Sequence, residues 1–157
     1  MKTEAVMKLT EDPEVIDWSE THYVFIERIG PFMTTAPEAW NTAHTLVPAL
    51  SEHNQITRFM SLYKIGPKIY RAGFSLAGPP RELPAVLSYE KFNGGKFNRF
   101  VLTGPYSELG AATSRVFELV SQKGIQLRDD FCIEHYVTDP RVTPQEESVT
   151  EILAPTA

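Results

Sequence analysis

The chain has 157 residues, 42% of them apolar and 22% charged, a composition ordinary for a globular protein with one core. Fifteen basic residues stand against twenty acidic ones, for a net charge of −5, so no excess of cations exists to neutralise a phosphate backbone and direct nucleic-acid binding is not expected. Cys132 is the only cysteine, which rules out an internal disulfide and a zinc-thiolate cluster and suits a reducing compartment. No apolar run approaches the ~20 residues that span a bilayer. The first 18 residues carry acidic side chains throughout and no apolar leader region, so no membrane partner is expected. Together these point to a cytoplasmic protein with one domain over residues 1–157.

In chain order, HYVFIERI (His22–Ile29) is rich in aromatic and β-branched residues and reads as a strand that ends at Gly30-Pro31. Thr35-Ala36-Pro37-Glu38 has the form of a capping box with proline in the first turn. Ala36, Trp40, Ala43, Val47 and Leu50 follow at helical spacing, and Pro48 should kink or shorten that helix near its end. TRFMSLYKIGP (Thr57–Pro67) and KIYRAGFSLAGPP (Lys68–Pro80) read as two hairpinned strands.

LSYEKFNGGKFNRFVLT (Leu87–Thr103) offers strands on both sides of a Gly94-Gly95 hairpin turn, and the second ends at Gly104-Pro105. Ser107 reads as the N-cap of a helix carried by Leu109, Ala112, Val116 and Leu119, with Gly124 as its stop. DFCIEHYVTDP (Asp130–Pro140) and VTEILAP (Val149–Pro155) read as strands separated by a polar loop.

The two halves echo each other. Gly30-Pro31-Phe32 matches Gly104-Pro105-Tyr106 at an offset of 74 residues, and SLYKIGP (Ser61–Pro67) matches EHYVTDP (Glu134–Pro140) at an offset of 73. The fold class expected is α+β. Two β-α-β-β modules, over about residues 20–80 and 88–155, would form one antiparallel sheet with both helices on one face and a ligand groove on the other.

Strand alternation nominates the groove residues. Phe131, Ile133 and Val137 are the more apolar set and should meet the helices, leaving Glu134 and Tyr136 toward the open face. The matching positions in the first half are Ser61 and Tyr63, with Met60 and Leu62 toward the helices. Trp40, at the start of the first helix, would form a wall if that helix end reaches the cleft. A carboxylate among aromatic rings suits a small organic cation through charge pairing and cation–π attraction. The plainer alternatives are a solvated charge at Glu134 on an edge strand, and tyrosines that only pack.

Other chemistry finds no support. His44 and His53 lack a third ligand, so no metal is expected. GGK at Gly94–Lys96 lacks the rest of a phosphate loop. No serine sits in a nucleophile elbow, and no cofactor motif occurs.

Several spaced motifs carry a family resemblance: the GGK-F turn, the T-G-P-Y strand end, F-x-x-E-x-Y-x-x-D-P and the closing T-E-I-L-A-P, with YVFIERIGPF, AW and YRAG in the first half. From about Pro13 to Pro155 the chain resembles the GyrI-like small-molecule-binding family, which also supplies effector-binding domains to AraC-type and multidrug-sensing transcription regulators. The resemblance implies a two-module fold with a central groove. It also implies that the glutamate of the E-x-Y motif, Glu134 here, faces cationic or amphipathic ligands with Tyr136 beside it.

Some members modulate DNA gyrase, and some relatives hydrolyse cyclopropane-bearing alkylating compounds with a pocket glutamate and aromatics. The expectation is therefore a stand-alone binding module using Glu134, Tyr136, Tyr63, Trp40 and Ser61. The alternatives are a hydrolase with Glu134 and Tyr136 as catalytic residues, or a gyrase modulator. No helix-turn-helix segment is evident, so a transcriptional role would need a separate DNA-binding partner.

Overall fold

The computed structural model describes residues 7–139 and 141–157. Pro140, in the second of the paired strand motifs, and the first six residues, in the stretch read as having no leader, lie outside the described residues. The strands are β1 (Lys8–Leu9), β2 (Glu14–Trp18), β3 (Thr21–Ile29), β4 (Ile56–Lys64), β5 (Ile69–Leu76), β6 (Ser88–Phe92), β7 (Gly95–Thr103), β8 (Cys132–Tyr136) and β9 (Val149–Pro155). The helices are α1 (Phe32–Thr45), α2 (Val47–Ser51) and α3 (Leu109–Gln122). The fold is α+β, as the sequence implies. The short β1 and β2, both paired with β7, were not evident in the sequence.

One antiparallel sheet holds all nine strands in the order β1-β7-β9-β8-β4-β5-β3-β6, with β2 off this path beside β7. The units β3-α1-β4-β5 and β7-α3-β8-β9 each contribute three neighbouring strands, joined where β4 runs against β8. Among the described residues no helix is long and apolar enough to cross a membrane.

The helix starts differ from the sequence reading. Helix α1 begins at Phe32, straight after Pro31, whose carbonyl accepts from the Thr34 and Thr35 amides at 3.0 and 2.9 Å. Thr35 is therefore inside the helix and caps nothing. Its hydroxyl donates to the Pro31 carbonyl, and Glu38 accepts from Arg28 instead of reaching back. Pro37 falls in the second turn, where the bond it cannot donate would have gone to Met33.

Pro48 acts as expected: α1 stops at Thr45, and the proline sits in the first turn of the separate α2. Ser107 is not an N-cap either. Pro105 leads into a 3-10 turn over Tyr106–Glu108, and α3 starts only at Leu109. The C-terminal stop holds. Gly124 takes φ +65°, its amide bonds the Ser121 carbonyl, and the Ile125 amide bonds the Val120 carbonyl, two bonds that satisfy otherwise orphaned helix carbonyls.

Gly94-Gly95 is a turn, but not a hairpin. β6 pairs with β3, and β7 pairs with β9, β1 and β2. The turn carries the chain between the two ends of a curled sheet, as Ser19-Glu20 does between β2 and β3. Trp18, Tyr23, Phe25, Met60, Leu62, Phe92, Phe97, Ile133 and Leu153, drawn from across the sheet, form one buried cluster inside the curl.

This overturns one expectation. Met60, Leu62 and Ile133 face away from the helices, because the curled sheet buries them against its own end strands. The opposite face is closed by that cluster, so the groove cannot lie there. It lies on the helix face.

Closure depends on how near β2 comes to the turn at Gly94. A Cβ there would stand 2.0 Å from the Trp18 carbonyl, on a backbone with φ +73°. Gly94→Ala should lower stability by about 2 kcal/mol or more, read from urea denaturation. Gly66→Ala, where a Cβ meets nothing within 4 Å, should be close to neutral. Equal stabilities for the two variants would refute this account of closure.

Candidate functional site

Helix α1 packs on β3 and β5, and α3 packs on β7 and β9. The middle of the sheet, β4 and β8, is left uncovered between them. There a groove of about 1370 Å³ opens on the helix face. Its floor carries Tyr63 of β4, Tyr70 of β5, and Glu134 and Tyr136 of β8. Phe32 and Trp40 of α1 form one wall. Tyr106 and the small residues Gly110 and Thr113 of α3 form the other.

The register of the central strands sets the floor. Phe59 lies across from Tyr136, Ser61 from Glu134, and Tyr63 from Cys132. Ser61 and Glu134 are also the residues matched by the 73-residue offset between the halves. They therefore stand on the local twofold axis, each facing its own counterpart. β8 lies between β9 and β4, so the reading of Glu134 as a solvated charge on an edge strand does not hold.

Glu134 is half-buried. The groove reaches it from one side and protein surrounds it on the others. Burial holds its carboxyl above the usual range, offset in part by the Tyr136 hydroxyl, which donates to Oε1 at 2.6 Å. Among the described residues, no Lys, Arg or His nitrogen comes within 4.0 Å of this carboxylate.

A hydroxyl cluster continues behind it. Ser61 Oγ lies 2.8 Å from the Tyr136 hydroxyl and 2.7 Å from the Tyr70 hydroxyl. The Trp40 indole N–H donates toward both Ser61 Oγ, at 3.0 Å, and Tyr70, at 2.9 Å. Burial pushes the Tyr70 phenol up to about 12 and Tyr136 well above its ordinary value, with the Glu134 charge adding to both, so these phenols stay protonated at neutral pH.

Of the five residues nominated from sequence, Glu134, Tyr136, Tyr63 and Trp40 line the groove. Ser61 does not. It is fully buried beneath the floor and touches the groove only through its hydrogen bonds to Tyr136, Tyr70 and Trp40. Trp40 sits in the third turn of α1, not at its start, and its ring meets Tyr136 edge-on at 5.3 Å. Among the described residues the buried Tyr63 hydroxyl has no hydrogen-bond partner, and Thr113 sits near it without reaching bonding geometry.

Sequence reasoning missed Phe32, Tyr106 and Tyr70. The first two are the aromatics of the paired Gly-Pro-aromatic motifs, so the signal was present. Phe32 meets Tyr63 at 5.8 Å and Tyr106 meets Tyr136 at 5.7 Å, equivalent edge contacts in the two halves. Tyr70 becomes visible only through its register with Tyr63.

Three solved structures share this architecture. The EcmrR C-terminal domain aligns with a TM-score of 0.76 at 14% identity, over 98% of this chain and 99% of that one. SAV2435, solved bound to tetraphenylphosphonium, gives a TM-score of 0.73 at 13% identity, covering 93% of this chain and 94% of that one. A hydrolase from Listeria innocua gives a TM-score of 0.60 at 11% identity, covering 94% and 92%. At these identities the likeness is one of fold. No curated protein sequence matches significantly. The model of the GyrI-like small molecule binding domain matches residues 11–157, nearly the whole length, and the chain belongs to that family.

Proposed function

We propose that this is a single-domain cytoplasmic protein that binds amphipathic organic cations in the groove, so as to sequester or sense them. The observation that carries the reading is Glu134: a carboxylate recessed on a floor of aromatic rings, with no basic side chain among the described residues to pair it. A buried charge without a partner is costly, and a ligand cation supplies the partner. Cations with spread charge and aromatic arms suit the site, because ring faces attract the charge while apolar surface leaves water. Tetraphenylphosphonium, the ligand in the SAV2435 structure, has this chemistry and serves as the probe. Sensing would add a protein partner, either a DNA-binding protein or gyrase, and a pull-down from lysate with the ligand present is the way to find one.

A hydrolase reading draws on the same pair. A carboxyl held above its usual range could take a proton from water, and a tyrosine beside it could donate to a leaving atom. The geometry favours binding, because Tyr136 already spends its only proton on Glu134. Turnover of cyclopropane-bearing alkylating compounds, lost in Glu134→Gln, would instead establish hydrolysis. The expected result is no product above the uncatalysed rate.

Two outcomes are expected of Glu134→Gln. Titration calorimetry should show tetraphenylphosphonium binding weakened by about 10–100-fold, or about 1.4–2.8 kcal/mol, with neutral triphenylphosphine oxide unaffected. Equal affinity for the cation would remove the charge role.

The second outcome is a change of stability with pH. The folded carboxyl titrates above its ordinary value of 4.5. The cost of burying its charge is thus absent below that value and fully present above the raised one. Glu134→Gln should melt higher than the parent at pH 7, and the advantage should vanish near pH 4. A constant difference between the two melts across that window would contradict the burial account.

A further inference from the structure

The hydroxyls behind Glu134 can be given a direction. Tyr136 has one proton and donates it to the carboxylate. The 2.8 Å bond between Ser61 and Tyr136 must therefore take its proton from Ser61. The 2.7 Å bond between Ser61 and Tyr70 must then take its proton from Tyr70. Trp40 completes the assignment, because an indole N–H only donates, and it points at the oxygens of both Ser61 and Tyr70. Sending the Tyr70 proton straight to Tyr136, across 3.5 Å, would leave the 2.7 Å contact between Ser61 and Tyr70 with no proton.

We propose that Trp40, Tyr70 and Ser61 form a one-way hydrogen-bond relay through Tyr136, and that these three groups are positioning residues that keep Glu134 ionised and ready for a cation. Each bond in such a chain polarises the next, so the effect of the far members is felt at the carboxylate. Ser61 is fully buried and Tyr70 nearly so, which makes a lost hydrogen-bond partner costly for both. The reverse direction is the poorer one. If Tyr136 turned its proton toward Ser61, and Ser61 turned toward Tyr70, the carboxylate would lose its 2.6 Å donor and the Tyr70 proton would have only the 3.5 Å contact with Tyr136.

Other charges near the groove are engaged elsewhere. Asp139 pairs with Arg141, and His135 with Glu151. Arg58 lies over the Trp18 ring, and His44 packs against Trp40 and Phe59. Tyr63 and Tyr106 are held protonated by burial, and Cys132 likewise, pushed up to about 12. The relay is what remains to act on Glu134 from behind.

The inference rests on the binding reading only for its purpose, so its test reads Glu134 without any ligand. The carboxyl carbon of Glu134 is followed by NMR against pH in the parent protein and in Ser61→Ala, Tyr70→Phe and Ser61→Thr. Ser61→Ala should raise the Glu134 midpoint by on the order of half a pH unit. Tyr70→Phe should raise it by less, and Ser61→Thr, which keeps the hydroxyl, should restore it. A midpoint unchanged in both Ser61→Ala and Tyr70→Phe overturns the relay, as does an equal shift in Ser61→Thr and Ser61→Ala. Tetraphenylphosphonium titrations on the same variants separate the two ideas. Shifted midpoints with cation affinity independent of pH would keep the relay and remove the cation reading.

Discussion

The antiparallel pairing of β4 with β8 is the contact on which the site depends. It joins the two β-α-β-β units and sets Ser61 directly across from Glu134. Because these residues are counterparts in the two halves, the pair lies on the twofold axis, where a symmetric scaffold would hold two identical groups. Here one is a carboxylate and the other a hydroxyl. The broken symmetry at that point gives the groove a charge and gives the charge a hydrogen-bonded backing.

The asymmetry extends outward. Tyr63 pairs with Tyr70 in one half, and Tyr136 with Thr150 in the other. The first half thus supplies a second phenol to the relay. The buried Thr150 hydroxyl at the equivalent place has no hydrogen-bond partner among the described residues. The helices differ in the same way. Helix α1 brings Phe32 and Trp40 to the groove, whereas α3 brings Gly110 and Thr113. Bulk on one side and space on the other make room for a ligand without loss of the shared fold. A Phe32–Tyr63 contact and a Tyr106–Tyr136 contact keep the two ends alike.

The groove exists on the helix face because the other face is used up. A nine-stranded sheet that curls until residues of β2, β3, β6 and β7 share one cluster has no room for a ligand inside. The two helices cover the flanks of the outer face, and the central strands are left as the floor. Apolar burial inside the curl therefore decides where polar and aromatic side chains meet solvent. It also explains why a carboxylate can sit mid-sheet: its alternation places it outward, with the apolar neighbour Ile133 turned into the core.

Sequence alone determined a good deal. The strand and helix order, the duplication marked by Gly30-Pro31-Phe32 and Gly104-Pro105-Tyr106, and the pairing of Ser61-x-Tyr63 with Glu134-x-Tyr136 are local patterns or repeats of them, and the structure reproduces their geometry. Glu134 and Tyr136 share a face because strand side chains alternate, a rule that needs no tertiary information. Tertiary structure decided which face that was. Hydrophobicity marked Met60, Leu62 and Ile133 as buried, but could not say whether helices or curled strands would bury them, since both surroundings are equally dry. It also decided that β6 and β7 do not pair, because strand pairing depends on where distant chain ends arrive. The direction of the relay was likewise hidden, because it follows from donor counts among residues up to 75 positions apart that only folding brings within hydrogen-bond reach.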